Sequence, residues 1–269
     1  VDLTPIRGYL FDLDGVLTPT AVVHMHAWSR LFNTFLAAYP SEEAYSDADY
    51  YAYVDGKPRY DGVRAMLASR GIELPEGTSD DAPETETVRG LGNRKNDEFM
   101  STLNAEGVAP YPASLAFLER VIADGCSVAV VSSSKNAREV LTAAGILDRF
   151  EVIVDGKVVE AGHMLGKPAP DTFEFAAKQL GLPPEACAVV EDAESGVTAG
   201  ATGPFGLVIA VDRGVGRRKL FGLGADVVVD ELDELIPALD RAKDASSGEA
   251  STDADAPDQQ QPADHEEHA

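Results

Sequence analysis

Six short apolar runs, at residues 8–13, 128–132, 152–155, 187–190, 207–211 and 226–229, recur along the chain with helix-like stretches between them. That rhythm predicts an α/β fold, a Rossmann-like parallel sheet with helices on both faces, because parallel neighbours must be joined by crossovers. In open sheets of this kind ligands bind outside the carboxyl ends of the strands, so the polar residues that end each run are where chemistry is expected. The first interval breaks the rhythm. Over a hundred residues separate the first two runs, and they hold helical patterns at 21–38, 62–70 and 94–103. An inserted α-helical domain is therefore expected at 19–110, between core segments 1–18 and 111–243, with Pro110 and Pro112 bracketing the return. Residues 74–87, rich in Asp, Glu, Pro and Thr, are expected to loop outside the insertion's core.

The chain has 46 acids against 22 Lys and Arg, a formal charge of -24. Repulsion argues against nucleic acid or an anionic membrane as partner. A small phosphate ester remains open, because a metal ion, a lysine and backbone N–H groups can collect an anion locally. Residues 244–269 carry eight acids and no Lys or Arg, with almost nothing large and apolar, and are expected to be disordered. His265 and His268 in that tail read as solvated. Cys126 and Cys187 lie in or beside apolar runs, and two buried thiols suit a reducing compartment. Neither a signal peptide nor an apolar span of membrane length is evident, so a cytoplasmic protein is expected.

Four motifs end apolar runs. In Gly8-Tyr-Leu-Phe-Asp-Leu-Asp-Gly-Val-Leu17, Asp12 and Asp14 can align only if the strand opens into a loop, an opening that Gly15 supplies. Two such acids can divide the work of attack and proton transfer. Ser132, Ser133, Ser134, Lys135 and Asn136 follow the second run and lead into a helix over 137–144. They can hold a phosphate at the helix start, although Ser and Asn are also ordinary helix caps. Lys167 precedes two prolines that stiffen the backbone before a helix near Asp171. Glu191 and Asp192 end the run beginning at Cys187, and acids at two separate strand ends invite Mg²⁺.

In order and form these motifs resemble the haloacid dehalogenase superfamily of phosphotransferases over residues 6–235. The resemblance implies that Asp12 is a nucleophile forming an aspartyl phosphate and that Asp14 is the acid/base. It implies that Ser132 and Lys167 hold the phosphate being transferred. Asp12, Glu191, Asp192 and the main-chain carbonyl of Asp14 would bind Mg²⁺. A carboxylate approaching a phosphate meets about 4 kcal/mol of repulsion per unit-charge pair at about 4 Å and a dielectric near 20. Mg²⁺ and Lys167 would have to offset it. Dehalogenation is not expected, because dehalogenases of the superfamily generally lack the second aspartate.

The insertion must select the substrate. His24, Trp28, Leu31 and Phe35 recur at helical spacing and share a face, either as core or as part of a site. With the segment around Arg59 and with Lys95 and Asn96, they resemble the β-phosphoglucomutase family, whose pattern includes an Arg in a short loop before a helix. By that resemblance Arg59, Lys135 and Asn136 grip the phosphate that is not transferred. Trp28 and Lys95 face the sugar, and His24 ties Asp14 to the insertion. The implied enzyme is a monomer that interconverts β-D-glucose 1-phosphate and glucose 6-phosphate, primed by β-glucose 1,6-bisphosphate. A sugar-phosphate phosphatase with the same core is the main rival, and an idle phosphate-binding sensor is a third reading. Three departures stand out: Thr18-Pro19-Thr20 lacks the acid many relatives carry, the loop before Arg59 is long, and Ala193 replaces a common Ser.

Overall fold

The computed structural model describes residues 1–241. The disorder expected over 244–269, with His265 and His268, lies outside the described residues. In chain order the main elements are β1 (Gly8–Phe11), α1 (Thr20–Leu36), α2 (Asp47–Asp49), α3 (Arg59–Ser69), α4 (Val88–Glu106), α5 (Pro112–Ala123), β2 (Ser127–Val131) and α6 (Ala137–Ala143). They continue with β3 (Val152–Val154), α7 (Gly156–Ala161), α8 (Asp171–Gln179), β4 (Cys187–Glu191), α9 (Glu194–Thr202), β5 (Leu207–Val211), α10 (Arg217–Gly222) and β6 (Val227–Val229). The six strands form one parallel sheet in the order β3-β2-β1-β4-β5-β6.

Side chains alternate through the sheet. Tyr9 and Phe11 enter one apolar layer with Phe117, Val128 and Val130, whereas Leu10 enters the opposite layer with Val131, Phe173 and Val189. Burial on both faces explains why each strand reads as an unbroken apolar run. Sheet order reverses at β1, which pairs with β2 on one side and β4 on the other. Phe11 is level with Val130 and Val190, so the chain leaves all three strands at one height, at the crevice where the order reverses.

The helices between β1 and β2 gather a separate apolar cluster. Trp28, Leu31, Phe32 and Phe35 of α1 meet Tyr45, Tyr50, Val63, Met66 and Leu91 there. Residues 74–87 carry no helix or strand, but Leu74 packs against this cluster instead of standing clear of it. The helix expected from residue 94 begins at Val88, where the Thr87 side chain accepts a hydrogen bond from Gly90 N at 2.9 Å. Gly90 and Gly92 mask this first turn in the sequence. Both are required by packing, since a Cβ at Gly90 would collide with Thr85 O and one at Gly92 would lie 2.6 Å from the Tyr60 ring. No helix among the described residues is long and apolar enough to cross a membrane.

Candidate active site

The first motif leaves the sheet as β1 ends. Asp12 N still donates to Val190 O at 2.8 Å, and then Gly15 turns the chain with φ +89° and donates to Thr18 O at 2.8 Å. A Cβ at Gly15 would collide with the Asp192 carboxylate, so glycine is demanded both by conformation and by space. The turn brings both aspartates to the crevice. Lys167 Nζ, itself buried, contacts the carboxylates of Asp12 and Glu191 and donates to Val131 O at 2.9 Å. Glu191 also accepts from the backbone N–H groups of Asp192 at 3.0 Å and Ala193 at 3.1 Å. These two bonds pin the loop that carries Asp192.

Oxygens of Asp12, Glu191 and Asp192 lie within 4.8 Å of one another. Three buried hard-oxygen donors with one lysine among them suit a divalent cation, and the Asp14 carboxylate is not part of the group. Burial pushes the Asp12 carboxyl well above the usual range, and Glu191 and Asp14 add to this against the pull of Lys167. Asp192 is raised in the same way, by burial and then by Glu191, Asp12 and Asp55. Lys167 rises despite its burial, because Asp12 and Glu191 hold its proton. These directions agree physically: the carboxylates outnumber the one ammonium, so negative charge is in excess.

Asp14 behaves differently. Burial works against its ionisation, but His24, a hydrogen bond from Thr20 Oγ1 and the nearby Lys95 hold its carboxyl down at about 2. His24 Nε2 lies 3.3 Å from Asp14 Oδ1, off the line of a good hydrogen bond, while Lys95 Nζ meets Nδ1 of the same ring. The ring stacks on Phe99 at 4.0 Å between centroids. Burial, then Lys95, push His24 below its ordinary value, whereas Asp14 opposes them. Thr20 donates to Asp14 whatever the state of the His24 ring, which favours the ionised Asp14. Lys95 is pushed well down by burial and then by Arg59. Its amine lies 5.2 Å from the Trp28 ring and 4.9 Å from Phe99.

The second motif forms the opposite wall. Ser132 Oγ accepts from Ser134 N at 3.1 Å and lies 3.5 Å from Asp14 Oδ2. Ser134 Oγ accepts from Asn136 N at 3.2 Å, so both serines brace this loop. Ser133 Oγ reaches across to donate to Gly56 O of the insertion at 2.9 Å. Arg59 Nη2 and Asn136 Nδ2 each donate to Asn96 Oδ1 at 2.7 Å, which joins α3, α4 and the start of α6 at one atom.

A cleft lies between the two walls, lined by Asp12, Asp14, His24, Trp28, Arg59, Lys95, Ser132 to Asn136, Glu191 and Asp192 among others. Two expected contact residues do not line it. Lys167 sits behind Asp12, and Asn96 sits behind Arg59 as a shared acceptor. Lys135 lines the cleft, but its amine is engaged by Glu160. Arg59 is the first residue of α3 and not part of a loop, because Pro58 takes the extended residue before the helix, with ψ 141°. Residues outside the expected set also line the cleft, including Tyr50, Asp55, Gly56 and Lys57, and Thr20 stands on Asp14. None of these left a signal in the sequence: Thr20 is the first residue of α1 and caps no backbone N–H, so a capping argument would not have found its bond to Asp14.

Comparison with known proteins matches the model of the haloacid dehalogenase-like hydrolase family over residues 6–203. The chain belongs to this family. It is 50% identical over 245 residues to a β-phosphoglucomutase of Mycobacterium bovis, covering 86% of this chain and 92% of that protein. It is 29% identical over 196 residues to hexitol phosphatase A of Escherichia coli, covering 72% of this chain and 78% of that one. Among solved structures, a β-phosphoglucomutase of Clostridium difficile superposes with a TM-score of 0.69 at 26% identity, covering 90% of this chain and 99% of that one.

Proposed function

We propose that this protein is a β-phosphoglucomutase, a monomeric cytoplasmic enzyme that interconverts β-D-glucose 1-phosphate and glucose 6-phosphate. One observation carries the choice: Arg59 lines the same cleft as Asp12 and Ser132, and it and Asn136 both donate to the neutral Asn96. We read Asp12, Lys167 and Ser132 as serving one phosphate and Arg59 with Asn136 as serving a second. A phosphatase needs only the first. A mutase must hold a bisphosphate by either end, and an Arg fork suits the phosphate at rest. The half-identical mycobacterial mutase supports the same reading.

In this reading residues 19–110 act as a cap that closes over the core and keeps water from the phosphoryl group. An Asp12 oxygen attacks phosphorus and the phosphorus–oxygen bond to the sugar breaks. Asp14 protonates the departing oxygen with the proton it took from a sugar hydroxyl in the other half of the cycle. In the reverse half Asp14 takes the proton of a sugar hydroxyl, whose oxygen then attacks the phosphorus on Asp12. His24 and Thr20 orient Asp14, and Lys167 offsets charge on Asp12. Trp28 and Lys95 face the sugar, Ser132 the transferring phosphate, and Arg59, Lys135 and Asn136 the other. Asp12, Glu191, Asp192 and the main-chain carbonyl of Asp14 would hold Mg²⁺, which would supply charge neutralisation at the phosphate.

The test supplies β-glucose 1-phosphate and Mg²⁺, with and without β-glucose 1,6-bisphosphate, and measures glucose 6-phosphate against free phosphate. Glucose 6-phosphate that depends on the bisphosphate is expected. Rapid free phosphate alone selects the phosphatase, and an Asp12→Asn chain that keeps turnover ends both readings.

A further inference from the structure

One acid in the cleft has no part in that scheme. Asp55 lies between the short helical turn at Tyr50–Val54 and α3, on the insertion, yet it lines the cleft with Asp12, Asp14, Glu191 and Asp192 of the core. Its position is held from both sides. The next residue, Gly56, accepts the Ser133 hydrogen bond at 2.9 Å, and a Cβ on Gly56 would run into Ser195 Oγ and lie 3.2 Å from Ala193 Cβ. The Asp55–Gly56 segment therefore rests directly on the loop that follows Asp192. Burial, opposed by a hydrogen bond from Tyr50, pushes the Asp55 carboxyl up to about 6, and the charges acting on it most strongly, Glu191, Glu194 and Asp14, are all acids.

An insertion that seats on the core by this segment must bring a carboxylate against a cluster already rich in negative charge. Without a cation the approach is opposed; with one, the same carboxylate is attracted. Asp55 lies outside the three-residue group whose oxygens converge, so it acts through the field or through water and not as a direct ligand. We propose that Asp55 is a positioning residue through which a divalent cation held by the core draws the insertion shut. The inference rests on the metal site described above, and it makes closure respond to metal before any sugar arrives.

The test uses the full chain without sugar or phosphate, in mildly alkaline buffer. Mg²⁺ binding is followed by titration calorimetry and shape by small-angle X-ray scattering. The wild type should bind Mg²⁺ and contract as it does so. Asp55→Asn should bind Mg²⁺ about fivefold or more weakly, with a radius that no longer follows the metal, and Asp55→Glu should restore the response. Equal affinity and equal contraction in wild type and Asp55→Asn overturn the role of Asp55 alone. A wild type that binds no Mg²⁺ overturns the metal site and this inference together. Should Asp55→Asn fail to fold, the wild type still answers: its metal-free radius should shrink as added salt screens the acids, and a radius indifferent to both salt and Mg²⁺ overturns the proposal.

Discussion

Asp12 and Asp14 are two residues apart and chemically identical, yet their surroundings drive them in opposite directions. Burial, joined by Glu191 and Asp14, raises Asp12, while His24 and Thr20 hold Asp14 at about 2. Their motif was legible because its residues are contiguous and glycine follows at once. Thr20 and Asp55 were not, since nothing beside them in the chain marks what they touch. Arg59 separates the two enzyme readings most sharply. Arg59→Ala should lower isomerisation about a hundredfold or more while leaving hydrolysis of small phosphate esters near wild type, read as kcat/KM for each. Equal loss of both removes its assigned role. Gly15→Ala should destabilise the fold by about 2 kcal/mol or more in urea unfolding, because alanine is strained at φ +89° and its methyl meets Asp192. An unchanged midpoint would mean that the turn yields easily.

At the scale of elements, period and composition located every strand to within two residues, because each is a buried run flanked by polar residues. Helix starts were harder. α4 begins six residues before its expected position, as glycines that accommodate Tyr60 and Thr85 imitate a loop. Thr87 is what anchors that start, so Thr87→Ala should cost about 1 kcal/mol in thermal or urea unfolding. Its hydroxyl also donates to Asp81 at 2.6 Å, so the loop before α4 should become more accessible to protease in the same variant. Activity per folded molecule should hold, because Thr87 does not line the cleft. A variant as stable as wild type would assign the start of α4 to packing instead of to its cap.

For the whole molecule, the cost of the site is concentrated charge. Asp12, Asp14, Glu191 and Asp192 line one cleft, and among the described residues Lys167 is the cation in contact with Asp12 and Glu191. A bound divalent ion should therefore stabilise the fold by about 2.7 kcal/mol at a hundredfold excess over its dissociation constant, or roughly 5–10 °C in the unfolding midpoint. Calorimetry with Mg²⁺ and with chelator reads this directly, and identical midpoints would remove the metal from the cluster. The sequence alone determined the parallel sheet, the helical interruption after the first strand and the four strand-end motifs. Each depends on neighbours in the chain, through side-chain period and through the turn chemistry of glycine and proline. Tertiary structure alone decided that Asn96 joins Arg59 to Asn136, that Lys167 stands behind Asp12, and that Asp55 faces the core acids. Those contacts join segments from tens of residues to over a hundred apart, and packing within the core, within the insertion and between the two, which leaves no periodic trace in the segments concerned, brings them together.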